Sequence, residues 1–290
     1  MLQHPLDDKR AAIVSALLTV TNERLRTEAD LEGAEVIAEV RRVRPAWLRS
    51  MPDSGKEAMW RTKWTKKVWR AAAEQHAHFR GTPQARSTER MISTLVKEQK
   101  EQRQALLEAK FDLGDLSSLV AMPTAETDPA IRTGWREGDK VEAWRVEAQE
   151  TYWRACLVAR RAAITREDST TADWVGTRVD LGKACESRLE FNRFWLYEVD
   201  RANMPRNWLR WAAGMVQASM KVTRGNPVDV QHTSYLPDCE VFLTADKNFA
   251  RVLRHVAEAA PVTVGRVQRI EAPTSVGDDV IEAIEAALIS

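Results

Sequence analysis

Apolar residues recur at helical spacing along most of the chain between residues 28 and 222. Spacings of three and four residues place apolar side chains on one face of an α-helix. The pattern predicts helices near residues 30–43, 54–79, 87–111, 138–165, 180–200 and 205–222, and a further helix within the first eighteen residues. Pro205 marks one of these starts, since proline is favoured at the first helical position.

Glycine and proline interrupt the helical pattern between residues 112 and 137, where they favour turns and loops. The sequence therefore predicts four parts. Residues 1–112 form a helical part with a basic, tryptophan-rich helix, and residues 113–137 form a loop or hinge. Residues 138–222 form a helical insertion, and residues 223–290 follow a different pattern.

After residue 225 the pattern becomes a mixture of helices and strands. Asn226 can cap a helix whose first residue is Pro227, and this helix is expected to reach about Leu236. Residues 240–244 are a short apolar run, rich in β-branched and aromatic residues and of strand length. A second helix is expected after Asp246, and residues 261–270 supply a last strand.

Each of these two helix starts carries an aspartate. Asp229 falls in the first turn of the first helix, and Asp246 caps the second, directly after the strand. In an open α/β sheet, polar residues beyond the carboxyl ends of strands line the ligand crevice, so Thr244 and Asp246 are expected there, with Asp229 facing them. Their carboxylates suit Mg²⁺ or Mn²⁺. The alternative is that both aspartates only stabilise helix starts.

The ordered set Asp229, His232, Tyr235-Leu236 and Asp238, followed by residues 241–249, VFLTADKNF, resembles the C-terminal half of a PIN-like domain. PIN-like domains are metal-dependent nucleases in which a mostly parallel sheet gathers acidic residues around Mg²⁺ or Mn²⁺. They often cleave RNA as the toxin of a toxin–antitoxin pair. The resemblance covers about residues 225–270, and it assigns residues 223–290 to the PIN-like C-terminal half.

The resemblance implies an α/β, PIN-like fold with a large helical insertion, predominantly helical overall. It implies a Mg²⁺- or Mn²⁺-dependent endoribonuclease with RNA as substrate and an antitoxin or other protein as a possible partner. Asp229, Asp246 and, with a weaker claim, Asp238 would bind the metal. With Asp229 and Asp246 as the catalytic residues, Thr244 would support them by a hydroxyl hydrogen bond to a carboxylate or a bound water, and Lys247 could neutralise phosphate charge. His232 would touch substrate or orient a carboxylate, or else cap or pack.

The N-terminal part departs from the family pattern. Family members open with a strand that ends in an aspartate and then a helix that carries a glutamate, whereas residues 1–18 look helical. Glu35 and Glu39 are the best candidates for the missing acidic ligand. Glu35 and Glu39 lie at i and i+4 and repel one another, so a metal or a basic partner would stabilise the pair. The simpler expectation is that both face solvent.

This departure leaves two other classes of protein open. One is a helical module that binds nucleic acid or protein on a degenerate PIN-like scaffold. The other is an inactive fragment of a longer toxin whose missing segment carries the first strand.

Residues 41–70 are the most basic part of the chain and hold Trp47, Trp60, Trp64 and Trp69. On a helix, Trp60, Trp64 and Val68 share an apolar stripe, whereas Lys63, Lys67 and Arg70 share a basic one. The basic stripe could track a phosphate backbone, and an exposed tryptophan could stack on an unpaired base. The alternative is a buried aromatic stripe beside a solvated basic face.

Other aromatic residues and histidines fit simpler roles. Trp195, Trp208 and Trp211 lie on amphipathic helices, where large rings fill the gaps between helices. His76 and His78 lack a third ligand at metal-binding spacing.

Composition bounds the remaining classes. The 290 residues carry 43 Lys plus Arg against 42 Asp plus Glu, so nucleic-acid binding must be local rather than a bulk effect. Three cysteines without C-x-x-C spacing argue against a disulfide framework and fit a reducing cytoplasm. The sequence has no apolar run of membrane-spanning length, P-loop, G-x-S-x-G or G-x-G-x-x-G motif.

Overall fold

The protein is described by a computed structural model for residues 26–68, 70, 116–162, 170–220 and 226–270, with isolated positions between 93 and 108 and Glu285. The helices in these ranges are α1 (Glu28–Val43), α2 (Ser54–Thr62), α3 (Pro129–Arg132), α4 (Ala143–Ala162), α5 (Thr171–Gly176), α6 (Leu181–Ala184), α7 (Arg188–Arg193), α8 (Pro205–Ser219), α9 (Asn226–His232) and α10 (Lys247–Glu258). The strands are β1 (Val120–Ala121), β2 (Val141–Glu142), β3 (Val241–Thr244) and β4 (Arg266–Arg269). Lys63–Lys67 and Phe194–Glu198 continue α2 and α7 as π-helical turns, and Thr233–Asp238 continues α9 as a 3₁₀ helix.

Helices α1, α4 and α8 form the centre of the fold. Helix α1 packs against α5 and α8, and α4 packs against α5, α8 and the π-helical turn after α7. Their facing sides supply the core, which includes the fully buried Trp144, Trp195 and Trp208. The prediction that Trp195, Trp208 and Trp211 serve packing is confirmed, because all three are buried.

Local capping signals explain the helix starts that the sequence predicts. The Thr27 hydroxyl accepts a hydrogen bond from the Asp30 amide at the start of α1, and Asp53 does the same for the Lys56 amide in α2. Helix α8 begins at Pro205 as predicted. The predicted N-terminal helix lies outside the described residues, as does most of the predicted helix at 87–111.

Two predicted helices differ from the structure. The helix expected from residue 138 begins at Ala143, because Gly138 adopts a positive φ of 78° and β2 precedes the helix. The helix expected over residues 180–200 is divided into α6 and α7. Ser187 accepts a hydrogen bond from the Glu190 amide and thereby starts a new helix where the prediction had one continuous element.

The loop or hinge predicted at 113–137 is described from residue 116 onward and contains β1 and α3. Strand β1 pairs antiparallel with β2. The buried Asn192 side chain on α7 donates to the carbonyl groups of Ala130, at 2.9 Å, and Thr133, at 2.7 Å. These bonds attach the described part of the segment to the helical core.

Helix α5 was not among the sequence predictions, although a local signal for it exists. Thr170 accepts from the Asp173 amide while the Asp173 carboxylate accepts from the Thr170 amide, which completes a capping box. The T-x-x-D spacing is visible in the sequence and is a known start signal.

The C-terminal part forms a β-α-β unit. Strands β3 and β4 are parallel, with Val241 opposite Arg266 and Thr244 opposite Arg269, and α10 connects them. Helix α10 and the 3₁₀ helix Thr233–Asp238 both pack against α8, which joins this unit to the helical core. The predicted strands at 240–244 and within 261–270 are therefore confirmed, as is a mainly helical chain with little sheet.

No helix within the described ranges is both long and apolar enough to cross a membrane.

Candidate functional site

Asp246 lies at the carboxyl end of β3, where it caps α10. Its Oδ1 atom accepts hydrogen bonds from the backbone amides of Asn248, at 2.7 Å, and Phe249, at 2.9 Å. The Thr244 hydroxyl oxygen in turn accepts from the Asp246 amide at 3.1 Å. Both capping bonds end on Oδ1, so Oδ2 takes no part in the cap. Thr244 therefore positions the backbone of Asp246, and the carboxylate of this exposed residue keeps Oδ2 outside the cap.

Asp229 lies in the first turn of α9 and is half-buried. Burial, and after it the negative charge of Asp246, raise the pKa of Asp229 to about 6. Since this charge acts on Asp229, the two carboxylates are electrostatic neighbours although they are far apart in sequence. The two aspartates on which the predicted site depends therefore interact electrostatically.

Two cations lie on the elements that form this site. Lys247 is the first residue of α10 and is exposed. Arg269 is exposed at the end of β4 and pairs in register with Thr244, and the amide of the next residue, Ile270, donates to the Thr244 carbonyl at 3.0 Å. Lys247 was predicted from sequence, but Arg269 was not. Arg269 lies beside Thr244 because of the register between β3 and β4. In the sequence, the predicted position of the last strand was the only indication of this register.

Asp238, the weaker predicted metal ligand, forms an ion pair with Arg206 at the N-terminal end of α8. The same arginine pairs with Glu35 of α1 at 2.9 Å. Asp238 therefore takes part in a link between the helical core and the chain entering β3. His232 is exposed at the end of α9.

Glu35 and Glu39, the candidates for a third acidic ligand, are buried and engaged by the start of α8 and the segment before it. Glu35 accepts from Arg206 and from the Asn207 side chain, at 2.8 Å for the latter, and burial raises its pKa. Glu39 is 1% exposed and accepts from the Asn203 side chain at 3.0 Å. The expectation that solvent is their partner is wrong. Arg206 and Asn207 are tertiary partners of Glu35. The basic partner of Glu39 is Arg42 of its own helix, at 2.6 Å.

The aspartate pair fits a hard divalent cation. Within the ranges that the structure describes, no three or more His, Cys, Asp or Glu side chains are grouped so that they could hold a metal. Mg²⁺, however, is usually held by one or two carboxylates, keeps several waters and also binds substrate phosphate. Asp229 and the Oδ2 atom of Asp246, which the cap does not use, are the groups that could hold such a cation, and the cation would relieve the repulsion between them.

The basic, tryptophan-rich helix is only partly available for nucleic acid. Trp60 is 3% exposed, and its ring packs edge to face with Trp174, with centroids 5.0 Å apart. Trp60 is therefore not an exposed tryptophan that could stack on a base, and it fits the alternative of a buried aromatic stripe. Lys63 lies over the half-buried Trp64 ring at 5.6 Å. Lys67 and Arg70 are exposed. Trp69, His76 and His78 lie outside the residues whose side chains are described.

Comparisons of the chain with protein-family models, characterised proteins and solved structures gave no match. Its function is therefore inferred from its own residues and their geometry.

Proposed function

We propose that the protein is a Mg²⁺- or Mn²⁺-dependent endoribonuclease whose C-terminal part has a PIN-like architecture. The observation that carries the proposal is the electrostatic interaction of Asp229 with Asp246, which lies at the carboxyl end of β3. Burial of Asp229 and, after it, the negative charge of Asp246 raise the pKa of Asp229 to about 6. Titratable groups perturbed by both burial and a specific charged neighbour are concentrated at functional sites.

The roles of the side chains follow from their positions. Asp229 and the Oδ2 atom of Asp246 hold the cation, which when bound activates water and neutralises charge on the scissile phosphate. Thr244 holds the backbone of Asp246 in place through its hydroxyl oxygen. Lys247 and Arg269 attract the phosphates of the RNA, because both are exposed cations, of which Lys247 follows Asp246 in the chain and Arg269 is paired with Thr244.

The raised pKa of Asp229 couples metal binding to pH. A carboxylate must lose its proton to become a ligand, so metal and proton compete for Asp229. Mn²⁺ affinity and RNA cleavage should therefore both decline as the pH falls through about 6, which is the pKa of Asp229. This decline should occur at a higher pH than for an ordinary exposed aspartate.

The test is cleavage of single-stranded RNA by the purified protein with Mn²⁺. We expect Asp246→Asn and Asp229→Asn each to lower the cleavage rate by about 100-fold or more, because each removes one of two anionic ligands. Asn can preserve the cap of α10, since its side-chain oxygen accepts the same hydrogen bonds. Asp53→Asn is the matched control, because Asp53 caps α2 through a comparable bond.

Unchanged cleavage by Asp246→Asn, with Mn²⁺ still bound, would rule out the proposed site. Unchanged cleavage by Asp53→Asn is required, since a loss there would indicate a general effect of removing a capping charge. The melting temperature of each variant separates loss of chemistry from loss of folding.

A second candidate is a helical nucleic-acid-binding module, favoured by the exposed Lys67 and Arg70 along α2 and its continuation. Binding through this surface should weaken as salt rises, because it depends on displaced counterions. Lys63→Glu with Lys67→Glu should weaken it further. Salt-dependent RNA binding without metal-dependent cleavage would favour this module, and the toxin proposal, with its antitoxin partner, would then be withdrawn.

A further inference from the structure

A cavity of about 650 Å³ is formed largely by the segment predicted as a loop or hinge. Its volume falls within the range of about 300–1,000 Å³ that is typical of small-molecule sites. The side chains that line it include Met122, Arg132, Trp135, Arg136 and Glu137. The residues of the proposed nuclease site are not among those that line it, so the cavity is a separate feature of the molecule.

Two consecutive turns build one wall of the cavity, and each turn begins with an arginine. In each turn the amide of the fourth residue donates to the carbonyl of the first, at 2.9 Å for Arg132 and 3.1 Å for Arg136. The third residue of each turn is a glycine with a positive φ, which is 84° for Gly134 and 78° for Gly138. Glycine adopts this conformation without steric cost. The repeated turn therefore places both arginines at equivalent positions along the same cavity.

Polar side chains of the helical core hold this wall in place. The buried Gln149 side chain of α4 donates to the Ile131 carbonyl at 3.2 Å, and Arg188 of α7 donates to the Ala130 carbonyl at 3.1 Å. These bonds act together with those of the buried Asn192 to the same segment. Because they occupy carbonyl groups that the turns leave without a helical partner, the wall keeps its shape before any ligand binds.

The lining of the cavity has an excess of positive charge. The Arg136 guanidinium lies over the Tyr197 ring at 4.4 Å, and the Tyr197 hydroxyl accepts from the Arg136 amide at 2.8 Å, so this ring supports the cation. Arg132 is exposed, and neither arginine forms an ion pair with another residue that the structure describes. Glu137 is the acidic side chain of the lining. Two cations against one anion favour an anionic ligand.

We propose that this cavity binds a nucleotide, with the phosphate held by Arg132 and Arg136 and the base packed against Trp135. A phosphate monoester carries about −1.5 to −2 charge at pH 7, so two guanidinium groups suit it better than they suit a singly charged carboxylate. Each guanidinium can donate paired hydrogen bonds to phosphate oxygens.

Trp135 supplies the contact with the base. Its indole N–H donates to the Asp139 carbonyl at 2.9 Å, which fixes the orientation of the ring and satisfies its one polar group. Aromatic side chains stack on nucleic-acid bases of any sequence, because every base has a π-face. The proposal does not depend on nuclease activity, since the two sites share no residue.

Isothermal titration calorimetry of the full chain with AMP in metal-free buffer tests the proposal. We expect adenosine and ribose 5-phosphate each to bind at least about tenfold more weakly than AMP, because the first lacks the phosphate and the second lacks the base. This comparison uses the unaltered protein and requires no variant. Absence of AMP binding, or equal binding of AMP and adenosine, would overturn the proposal.

Variants separate the two contacts. Arg132→Gln and Arg136→Gln should each weaken AMP binding by about tenfold without changing the weaker affinity for adenosine, whereas a loss of folding would reduce both. Trp135→Leu should weaken the binding of AMP and adenosine alike. Arg41→Gln is the matched control, because Arg41 is exposed on α1 and does not line the cavity. An equal loss of AMP binding in Arg41→Gln would show non-specific attraction and would refute the site.

Photolabelling with 8-azido-AMP tests the location. Peptide mapping should recover the label within residues 122–138, and a label confined to any other part of the chain would overturn the proposal. Competition by a short single-stranded RNA in metal-free buffer distinguishes the two sources of a nucleotide. Loss of the label would identify a nucleotide within an RNA strand as the ligand, and full labelling would identify a free nucleotide.

Discussion

The substitution Asp229→Asn removes the carboxyl group whose raised pKa points to the candidate site. In the folded protein the pKa is about 6, against 3.8 for the unperturbed group, so about two pKa units separate the states. Converted without screening, this pKa difference corresponds to about 3 kcal/mol by which the ionised Asp229 lowers the free energy of unfolding. Solvent screening of a half-buried group reduces the value to about 1.5 kcal/mol. The substitution also removes the favourable interaction of the negative charge with the start of α9, which lowers the expected gain in stability by about 0.5 kcal/mol. The variant should therefore be more stable by about 1 kcal/mol at neutral pH.

The sign of the effect follows from proton binding. Between pH 3.8 and about 6 the folded state holds the Asp229 proton while the unfolded state has lost it, so unfolding releases a proton. Stability from this group is complete below the unfolded pKa and declines as pH rises through the folded pKa. Asp229→Asn lacks this decline. Its stability advantage should be largest above about pH 7 and smallest below about pH 4.

Urea unfolding at several pH values measures the difference between the variant and the unaltered protein. The same series with Asp53→Asn controls for removal of an acidic charge at a helix start, and no comparable pH dependence is expected there. A difference for Asp229→Asn that stays constant across this pH range would refute the proximity of Asp229 to Asp246 and its partial burial. Added Mn²⁺ should stabilise the unaltered protein more than the variant, since a ligand of the folded state raises its stability.

Other perturbations test the packing that supports the site. Gly265→Ala should destabilise the protein by about 1–3 kcal/mol in urea unfolding, because the new methyl group would overlap the Cys239 backbone carbonyl and lie 2.8 Å from the Cys239 sulfur. Unchanged stability would contradict this close approach. Glu57→Ala should lower the stability measured by thermal unfolding by about 1–3 kcal/mol, because the buried carboxylate accepts hydrogen bonds from the Thr177 hydroxyl and the Arg178 guanidinium. Glu137→Ala is the control, and an equal effect there would indicate a non-specific loss. Trp60→Ala should lower the free energy of unfolding by about 3–5 kcal/mol. The part of the variant that remains folded should still bind RNA as the unaltered protein does. Loss of binding by the folded variant would show that Trp60 contacts RNA.

Several elements were predictable because their causes are local. Thr27 and Asp53 accept amide hydrogen bonds at the starts of α1 and α2, and Pro205 begins α8. The apolar run at 240–244 forms β3, and the last strand forms β4 within its predicted range. In each case the deciding interaction lies within a few residues of the signal, so the sequence pattern carries it.

Other features were decided by distant residues. Glu35 was expected to face solvent, but Arg206 and Asn207 of α8 bury it. For the stripe containing Trp60 the sequence left base stacking and burial open, and the contact with Trp174 goes with burial. Helical periodicity identifies one face of a helix, but it cannot tell which neighbouring element covers that face.

For the candidate site, the sequence by itself determined the two helix starts that carry Asp229 and Asp246 and the strand that precedes Asp246, because capping and strand propensity act over short distances. The tertiary structure alone decided that burial and the charge of Asp246 raise the pKa of Asp229, and that Arg269 is paired with Thr244. Each of these depends on strand register or helix packing, which arises only when apolar faces from separate parts of the chain are buried together.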